Sequence, residues 1–188
     1  MRLILASNSP RRKEILKKHG LDFEIKVSDY SEKDEKVPIQ TAEDNAKGKA
    51  WSVFETLTDK TDVVVLGADT IVVFDGEIIG KPKDRIDAAK TLKRLSGKAH
   101  KVITGFALIT KSQEITGYDE TEVIFNDLSD KLIEEYVKTG LPLDKAGSYG
   151  YQDGFPIVKE CIGDIENVIG LPFYKIKNNL LEISKEEL

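Results

Sequence analysis

Cysteine, histidine and long apolar runs are scarce in this 188-residue chain, and each scarcity excludes a class of function. The one cysteine, Cys161, cannot form an internal disulfide or build a thiolate metal site by itself. The two histidines, His19 and His100, leave a catalytic thiol few candidates for a basic partner. No secretory apolar segment and no run of about 18 apolar residues occurs, so we expect a cytoplasmic protein.

The charge and the length of the chain limit its possible ligands and its number of domains. The chain carries 28 Lys and Arg residues against 33 Asp and Glu residues, a formal net charge of −5. This acidic balance predicts no general attraction to nucleic acid or to a membrane, so an anionic ligand must meet a local cluster of cations. A hydrophobic content of 40% and the absence of a linker-like segment predict a single domain over residues 1–188.

Strand-like and helix-like patterns are intermixed along the chain. We predict strands at Arg2–Ser7 and Asp62–Phe74, a hairpin turn at Asp75-Gly76 and a helix that Thr41 caps. Further strands are predicted at Phe23–Ser28, Lys101–Thr110 and Gln113–Phe125. Intermixed elements predict an α/β protein, and the hairpins predict a mixed sheet rather than a purely parallel one.

Cations crowd the start of the first predicted helix. The first strand runs into Ser7-Asn8-Ser9-Pro10-Arg11-Arg12, with Ser9 a suitable N-cap and the next residue a suitable first helical position. Arg11, Arg12 and Lys13 then face the positive end of the helix dipole, which is unfavourable unless an anion binds there. The strand–turn–helix context and the two serines therefore favour a phosphate site over arginines that merely face water.

Asp69 is an ionisable residue inside an otherwise apolar strand. Val63–Leu66 precede it and Ile71–Val73 follow it, and a buried carboxylate must be paired, hydrogen-bonded or bound to a metal. The alternative is a bulge beside Gly67 that turns the carboxylate to solvent. Because Lys81 follows after one hairpin, we favour a metal–phosphate site.

A polar loop before the second helix carries several carboxylates. Glu32, Asp34 and Glu35 lie there, and a run of this kind is usually a solvated loop. It becomes functional only if one of these carboxylates reaches Asp69 as a second metal ligand.

A glycine-rich segment lies between Asp144 and Gly154. Its glycines permit unusual backbone angles and the close approach of a ligand. The paired donor and acceptor of Gln152 could read the edge of a base. An ordinary tight connection between elements explains the segment equally well.

Several short motifs occur in one order along essentially the whole chain. They are Ser7-Asn8-Ser9-Pro10-Arg11-Arg12, Glu32, Lys49-Ala50, Gly67-Ala68-Asp69-Thr70, Lys81-Pro82, Leu95-Ser96-Gly97 with His100, Thr121-Glu122-Val123, Asp144-Lys145-Ala146-Gly147 and Gly170-Leu171-Pro172. Each is weak alone, but in this order and spacing the set is highly specific. The chain resembles the Maf family of nucleoside triphosphate pyrophosphatases.

The resemblance implies a fold and a reaction. The fold is α/β, with a mixed central sheet flanked by helices and two lobes around a cleft, as in inosine triphosphate pyrophosphatases (the Maf/Ham1 fold). The reaction is hydrolysis between the α- and β-phosphates of a nucleoside triphosphate, with Mg²⁺ or Mn²⁺ as cofactor. The family also implies a homodimer, and links to cleansing of the nucleotide pool and to inhibition of septum formation in bacteria.

The resemblance also implies roles for particular residues. Asp69 matches the proton acceptor and, with Glu32, the metal ligands. The positions that match substrate-binding residues are Ser7, Ser9, Arg11, Arg12, Lys49, Thr70, Lys81 and Gln152. The Asp-Lys-Ala-Gly motif followed by Gln152 resembles the branch that acts on dTTP and UTP. Asp153 departs from that branch, where glycine is more common, and adds a negative charge.

Other functions remain as alternatives. The same reaction could act on 7-methyl-GTP, CTP or a modified pyrimidine triphosphate. A regulator of septum formation could bind a nucleotide without hydrolysing it, but a site that only holds an anion gains nothing from the carboxylate of Asp69 among cations. The acidic balance disfavours nucleic-acid binding.

Overall fold

Seven strands and six helices make up the part of the chain that the computed structural model describes, residues 1–33 and 37–186. The strands are β1 (Arg2–Leu5), β2 (Glu24–Ile25), β3 (Val63–Phe74), β4 (Glu77–Ile79), β5 (Ala99–Ile109), β6 (Glu114–Phe125) and β7 (Val158–Ile162). The helices are α1 (Pro10–Lys18), α2 (Pro38–Glu55), α3 (Arg85–Leu95), α4 (Asp130–Lys138), α5 (Ile165–Ile169) and α6 (Phe173–Glu186). Within these described residues, no helix has both the length and the apolar character that crossing a membrane requires.

The strands form a mixed sheet. Its order is β2-β1-β3-β5-β6-β7, and β4 pairs with β3. Strand β1 is parallel to both β2 and β3, whereas β4 is antiparallel to β3 and β7 is antiparallel to β6. Asp75 and Gly76 join β3 to β4 with φ angles of 52° and 79°, as a two-residue hairpin turn requires. The prediction of an α/β fold with a mixed sheet is confirmed.

The chain divides into two compact units, in agreement with the two predicted lobes. Unit 1 contains Met1–Asp69, Thr104–Asp119 and Gly170–Leu188. Unit 2 contains Thr70–Ile103 and Glu120–Ile169. The chain passes from one unit to the other within the long strands β3, β5 and β6, because the unit boundaries fall inside their ranges.

The core of unit 1 forms where α2 packs on the sheet. Small residues of α2, Ala46 and Ala50, lie against apolar residues of β1, β3 and β5, and Val53 and Phe54 extend the cluster. Small side chains on the facing side of a helix allow its backbone to lie close to the strands beneath.

The core of unit 2 is larger and more aromatic. It joins apolar residues of α3 and α4 to the ends of β3, β5 and β6. Phe125, Tyr136 and Tyr149 are each 5% exposed or less and lie in this cluster. Two short 3₁₀ turns, Leu141–Asp144 and Ala146–Ser148, pack against α3 and α4.

Three local predictions need correction. Helix α2 begins at Pro38, so Thr41 is not its N-cap; its hydroxyl instead donates to the Val37 carbonyl at 2.9 Å. Proline suits the first helical position because its φ is already fixed near the helical value, which explains the earlier start. Strand β2 is shorter than predicted, and the five-residue helix α5 was not predicted.

Candidate active site

Asp69 lies inside β3, and the strand continues through it without a break. The residue is 6% exposed, and its apolar neighbours along the strand are buried as well. The alternative of a solvent-facing carboxylate at a bulge is therefore wrong. A carboxylate at this depth needs a positive charge or hydrogen-bond donors close by.

Two side chains of α2 provide those partners. Lys49 Nζ donates to one carboxylate oxygen of Asp69 at 2.6 Å. Asn45 Nδ2 donates to the other oxygen at 3.1 Å. Hydrogen bonds to a charged group are roughly twice as strong as those between neutral groups, so the two contacts hold the Asp69 carboxylate in one orientation.

Lys49 also pairs with a second carboxylate. Its Nζ lies 2.6 Å from Glu32 Oε1, and the Glu32 side chain is 46% exposed. The loop carboxylate singled out in the sequence therefore does approach Asp69. Asp34 and Glu35, the other two carboxylates considered there, lie outside the described residues.

The pair of carboxylates fits a divalent cation. Both oxygens lie 2.6 Å from the same ammonium nitrogen, so they are close enough to face one cation. The two carboxylates offer hard oxygen donors, and Mg²⁺ binds through one or two carboxylates with water and phosphate oxygens completing its shell. Among the described residues, no group of three or more His, Cys, Asp or Glu side chains is placed to hold a metal ion.

Glycines in the strands set the distance between α2 and Asp69. A Cβ at Gly67 would collide with the carbonyl oxygen of Ala46, and would lie 2.9 Å from the backbone nitrogen of Ala50. A Cβ at Gly105 would collide with the Ala42 carbonyl. Because neither strand has a side chain at these points, α2 lies close enough for Asn45 and Lys49 to reach Asp69.

The turn between β1 and α1 is held by its own polar side chains. Ser9 occupies the N-cap position, but its side chain makes no capping hydrogen bond. Its backbone N–H donates instead to Ser7 Oγ at 3.2 Å. The same oxygen accepts from Arg12 Nη1 at 3.2 Å, and Arg12 Nε donates to the Gly170 carbonyl at 2.9 Å. Arg12 therefore links the first turn of α1 to the residues before α6.

Arg12 belongs electrostatically to the Asp69 cluster. Burial lowers the pKa of its guanidinium below the usual value, and the negative charges of Asp69 and Glu32 oppose that shift. The neighbouring Arg11 adds to the lowering of this pKa through charge repulsion. The guanidinium stays protonated near neutral pH, so Arg12 adds a second positive charge to that of Lys49 in the Asp69 cluster.

In unit 2 the glycine-rich segment contacts both β3 and the residue before Lys81. The backbone N–H of Gly147 donates to the Gly80 carbonyl at 3.2 Å, which joins the glycine-rich segment to the residue before Lys81. Gly147 has a φ of 68°, and a Cβ there would lie 2.8 Å from Cγ2 of Val72 on β3. Only glycine suits this position. Lys81 and Gln152 are exposed and Thr70 is half-buried.

The extra charge of Asp153 is neutralised inside unit 2. Its carboxylate lies 3.3 Å from Lys145 Nζ and accepts a hydrogen bond from the Tyr136 hydroxyl at 2.5 Å. The same hydroxyl accepts from the Gly150 backbone N–H at 2.9 Å. Burial and this hydrogen bond raise the pKa of Tyr136, so the phenol remains a donor. Asp153, which departs from the expected motif, therefore completes a network of hydrogen bonds and an ion pair with Tyr136 and Lys145.

A second buried polar pair lies in the same core. His100 Nε2 and the Tyr149 hydroxyl are 2.8 Å apart, and His100 is 3% exposed. Burial lowers the pKa of His100 to about 4. The imidazole is therefore neutral near neutral pH and contributes to packing with Phe125 and Tyr149.

Asn45 is the member of the site that sequence reasoning missed. It lies four residues before Lys49, on the face of α2 that carries Ala42, Ala46 and Ala50. A polar residue on a face of small apolar residues, one helical turn from the lysine, is the signal that could have identified it.

The fold resembles that of one solved structure. The solved structure of the Staphylococcus aureus Ham1 protein matches with a TM-score of 0.52, covering 84% of this chain and 80% of that one. The two sequences are 14% identical, so this likeness concerns the fold alone.

The sequence comparison defines the family. The profile described as Maf-like protein matches residues 2–183, so the chain belongs to the Maf family. A protein of Thermosipho africanus named dTTP/UTP pyrophosphatase is 45% identical, with 100% of this chain and 99% of that protein covered. A protein of Aquifex aeolicus with the same name is 44% identical, with 98% and 96% covered. The family named from the motifs is confirmed.

Proposed function

We propose that this protein hydrolyses dTTP and UTP between the α- and β-phosphates, giving a nucleoside monophosphate and pyrophosphate. The observation that carries the proposal is the buried Asp69 carboxylate, which shares the Lys49 ammonium with Glu32. Family membership and two relatives named dTTP/UTP pyrophosphatase support the choice of substrate.

Asp69 and Glu32 are the residues that would hold a divalent cation, Mg²⁺ or Mn²⁺. Their hard oxygen donors suit such an ion. When bound, the ion would withdraw charge from phosphate oxygens and make water easier to deprotonate.

Asp69 accepts the proton of the attacking water in this mechanism. The water oxygen forms a bond to the α-phosphorus, the bond from that phosphorus to the bridging oxygen breaks, and pyrophosphate leaves. Lys49 and Asn45 hold the Asp69 carboxylate in one orientation, so it needs no rearrangement before the proton moves.

Cations stabilise the charge of the triphosphate and of the leaving pyrophosphate. Arg11, Arg12 and Lys49 lie in unit 1, and Lys81 is assigned the same role from its family motif. Fixed charges in a partly dry site stabilise a transition state more than the same charges in water do. The hydroxyls of Ser7 and Ser9 are assigned to the same phosphates.

Base selection is assigned to Gln152 and Thr70. One carboxamide offers a donor and an acceptor, which is what the O4 and N3 edge of uracil or thymine requires. The Asp144–Gly147 motif that accompanies Gln152 favours dTTP and UTP over 7-methyl-GTP.

Product analysis tests the proposal. The purified protein is incubated with UTP, dTTP, CTP or 7-methyl-GTP and Mg²⁺, and the products are separated by anion-exchange chromatography. UMP or dTMP with pyrophosphate is the expected result, and EDTA should abolish it until Mg²⁺ is restored. A diphosphate with inorganic phosphate would show that the wrong bond was assigned. Tight nucleotide binding without turnover would favour a regulatory protein.

The remaining predictions concern the whole protein in the cell. A single functional domain, a homodimer, a cytoplasmic location and a link to septum formation or to cleansing of the nucleotide pool stay predictions. Sedimentation of the purified chain checks the homodimer, and cell fractionation checks the cytoplasmic location.

A further inference from the structure

One amide joins Asp69 to the loop that carries Glu32. Asn45 Nδ2 donates to Asp69 Oδ2 at 3.1 Å and to the backbone carbonyl of Lys33 at 3.0 Å. Asn45 Oδ1 accepts from the backbone N–H of Lys33 at 2.8 Å. Both hydrogens of the amide nitrogen are therefore used, and the residue that they hold directly follows Glu32.

The contacts permit one orientation of this amide. If it were rotated by 180°, the Oδ1 atom would face the Asp69 carboxylate and the Lys33 carbonyl, and every contact would become repulsive. A single side chain thus fixes the loop backbone with a reciprocal pair of hydrogen bonds and fixes the carboxylate with a third.

Asparagine is an unfavourable choice for this position unless the contacts matter. Asn45 is 3% exposed and lies in the interior of α2, where asparagine is less favourable than alanine for helix formation. Its neighbours on the same face, Ala42 and Ala46, are both 0% exposed. A buried amide among alanines is retained at a cost in helix stability, so its hydrogen bonds must supply the compensation.

We propose that Asn45 is a positioning residue that sets the separation of the Glu32 and Asp69 carboxylates. By holding Lys33 and Asp69 with one amide, it brings the two carboxylates around Lys49 into the arrangement that a divalent cation requires. The inference rests on the proposed function, since the cation serves that reaction. Groups that orient metal ligands typically change metal affinity by 10–100-fold when they are removed.

The first test needs no activity. In the nucleotide-free and metal-free protein, exchange of the Lys33 backbone amide hydrogen is followed by NMR. Asn45→Ala removes the acceptor Oδ1, so this amide should exchange faster than in the wild-type protein. Ser52→Ala is the matched control, because the Ser52 hydroxyl ties α2 to Ser28 at 2.7 Å and has a different loop partner. An unchanged Lys33 amide in Asn45→Ala overturns the proposal.

The second test measures whether Asn45 acts through Glu32. The Mn²⁺ affinity of the full chain is measured by electron paramagnetic resonance for the wild type, Asn45→Ala, Glu32→Gln and the double variant. Asn45→Ala should weaken Mn²⁺ binding by about tenfold or more. In the Glu32→Gln background it should have little further effect, since the ligand that it positions is already lost. Equal losses in both backgrounds would overturn the proposal.

Two comparisons keep the test independent of folding and of the proposed reaction. Asn45→Ser retains a small polar side chain and is used if Asn45→Ala lowers the unfolding midpoint strongly; the same pattern is expected for it. If the effects of Asn45→Ala and Glu32→Gln on Mn²⁺ affinity are coupled but the wild-type protein does not hydrolyse UTP or dTTP, the proposed reaction is refuted and the positioning role is kept. If the wild-type protein hydrolyses these nucleotides but the two effects are additive, the positioning role is refuted and the reaction is kept.

Discussion

A buried lysine–aspartate pair occurs in each unit, and these two pairs differ in what surrounds them. In unit 1, Lys49 and Asp69 are 2.6 Å apart, and Lys49 also contacts the carboxylate of Glu32. In unit 2, Lys145 and Asp153 are 3.3 Å apart, with side chains 8% and 7% exposed. Burial of an ion pair is therefore common to both units and does not by itself mark an active site.

The origin of the partners separates the two pairs. Lys145 donates to the backbone carbonyl of Leu141 at 2.5 Å and to the Asp144 carboxylate at 2.8 Å, and Tyr136 donates to Asp153. These partners lie between residues 136 and 153, on one helix and the connection that follows it, and fix that connection in place. The partners of Lys49 and Asp69 come from a loop, a helix and a strand between residues 32 and 69. Assembling charged groups from several elements is typical of a functional site.

Of the two lysine substitutions, removal of the lysine from the unit 1 pair should have the larger effect on turnover. Lys49→Met leaves two carboxylates facing each other and removes a cation from the proposed phosphate site. We expect kcat/KM for UTP to fall by about 10²–10³-fold, as for the loss of one charge-stabilising donor. Steady-state kinetics with a pyrophosphate assay measure it. A smaller loss of kcat/KM in Lys49→Met than in Lys145→Met would contradict the assignment of the active site to the unit 1 pair.

Removing the lysine from the unit 2 pair should act on stability. Lys145→Met leaves Asp153 with the Tyr136 hydroxyl and without its cation. Breaking a buried pair from one side costs about 3–5 kcal/mol of unfolding free energy. Urea unfolding of wild type and Lys145→Met measures it, and an unchanged unfolding free energy in Lys145→Met would contradict a structural role for Lys145.

The buried histidine makes the stability of unit 2 depend on pH. The pKa of His100 is about 4 in the folded protein and near 6.5 when unfolded. Above pH 6.5 the neutral form is present in both states. As the pH falls from 6.5 to 4, the unfolded chain binds a proton that the folded chain does not, so the unfolding free energy decreases by up to about 3 kcal/mol.

Urea unfolding at several pH values checks this slope in wild type and His100→Gln. The variant should show a flatter dependence over this range. His19→Gln is the matched control, because it removes the other histidine, which is exposed. Equal slopes for wild type and His100→Gln would refute the assignment.

The smallest expected effect concerns the choice of base. Gln152→Ala removes one proposed hydrogen-bonding group, and one such contact is worth about 1 kcal/mol. The ratio of kcat/KM for UTP to that for CTP should therefore fall by several-fold, more than kcat for UTP falls. Asn126→Ala, which removes an amide held by the carbonyls of Pro156 and Val158, is the control. A uniform decrease for both substrates would argue against base reading by Gln152.

Local patterns predicted those features that neighbouring residues decide. The start of α1 at Pro10 and the hairpin at Asp75-Gly76 follow from turn and cap chemistry within a few residues. The burial of Asp69 followed from the apolar residues on both sides of it.

Long-range contacts were not accessible in the same way. Asn45 contacts residues 12 and 24 positions away, and its place among small apolar residues marks it as unusual without revealing these partners. From the sequence alone, Asp153 predicts an uncompensated negative charge beside the substrate. Nothing in the sequence reveals that Lys145 and Tyr136 contact its carboxylate. From the sequence alone, Arg12 predicts only a contact with phosphate. In the structure its Nε also donates a hydrogen bond to the Gly170 carbonyl.

The most direct test compares one substitution in the two pairs. Asp69→Asn and Asp153→Asn each replace a buried carboxylate by an amide of the same shape, and kcat for UTP and the unfolding free energy are measured for both. We predict that Asp69→Asn lowers kcat by about 10³-fold or more and changes stability by about 1 kcal/mol or less. Asp153→Asn should lose about 2 kcal/mol of stability and far less turnover. Near-normal turnover of a folded Asp69→Asn protein would contradict the assignment of the active site to unit 1.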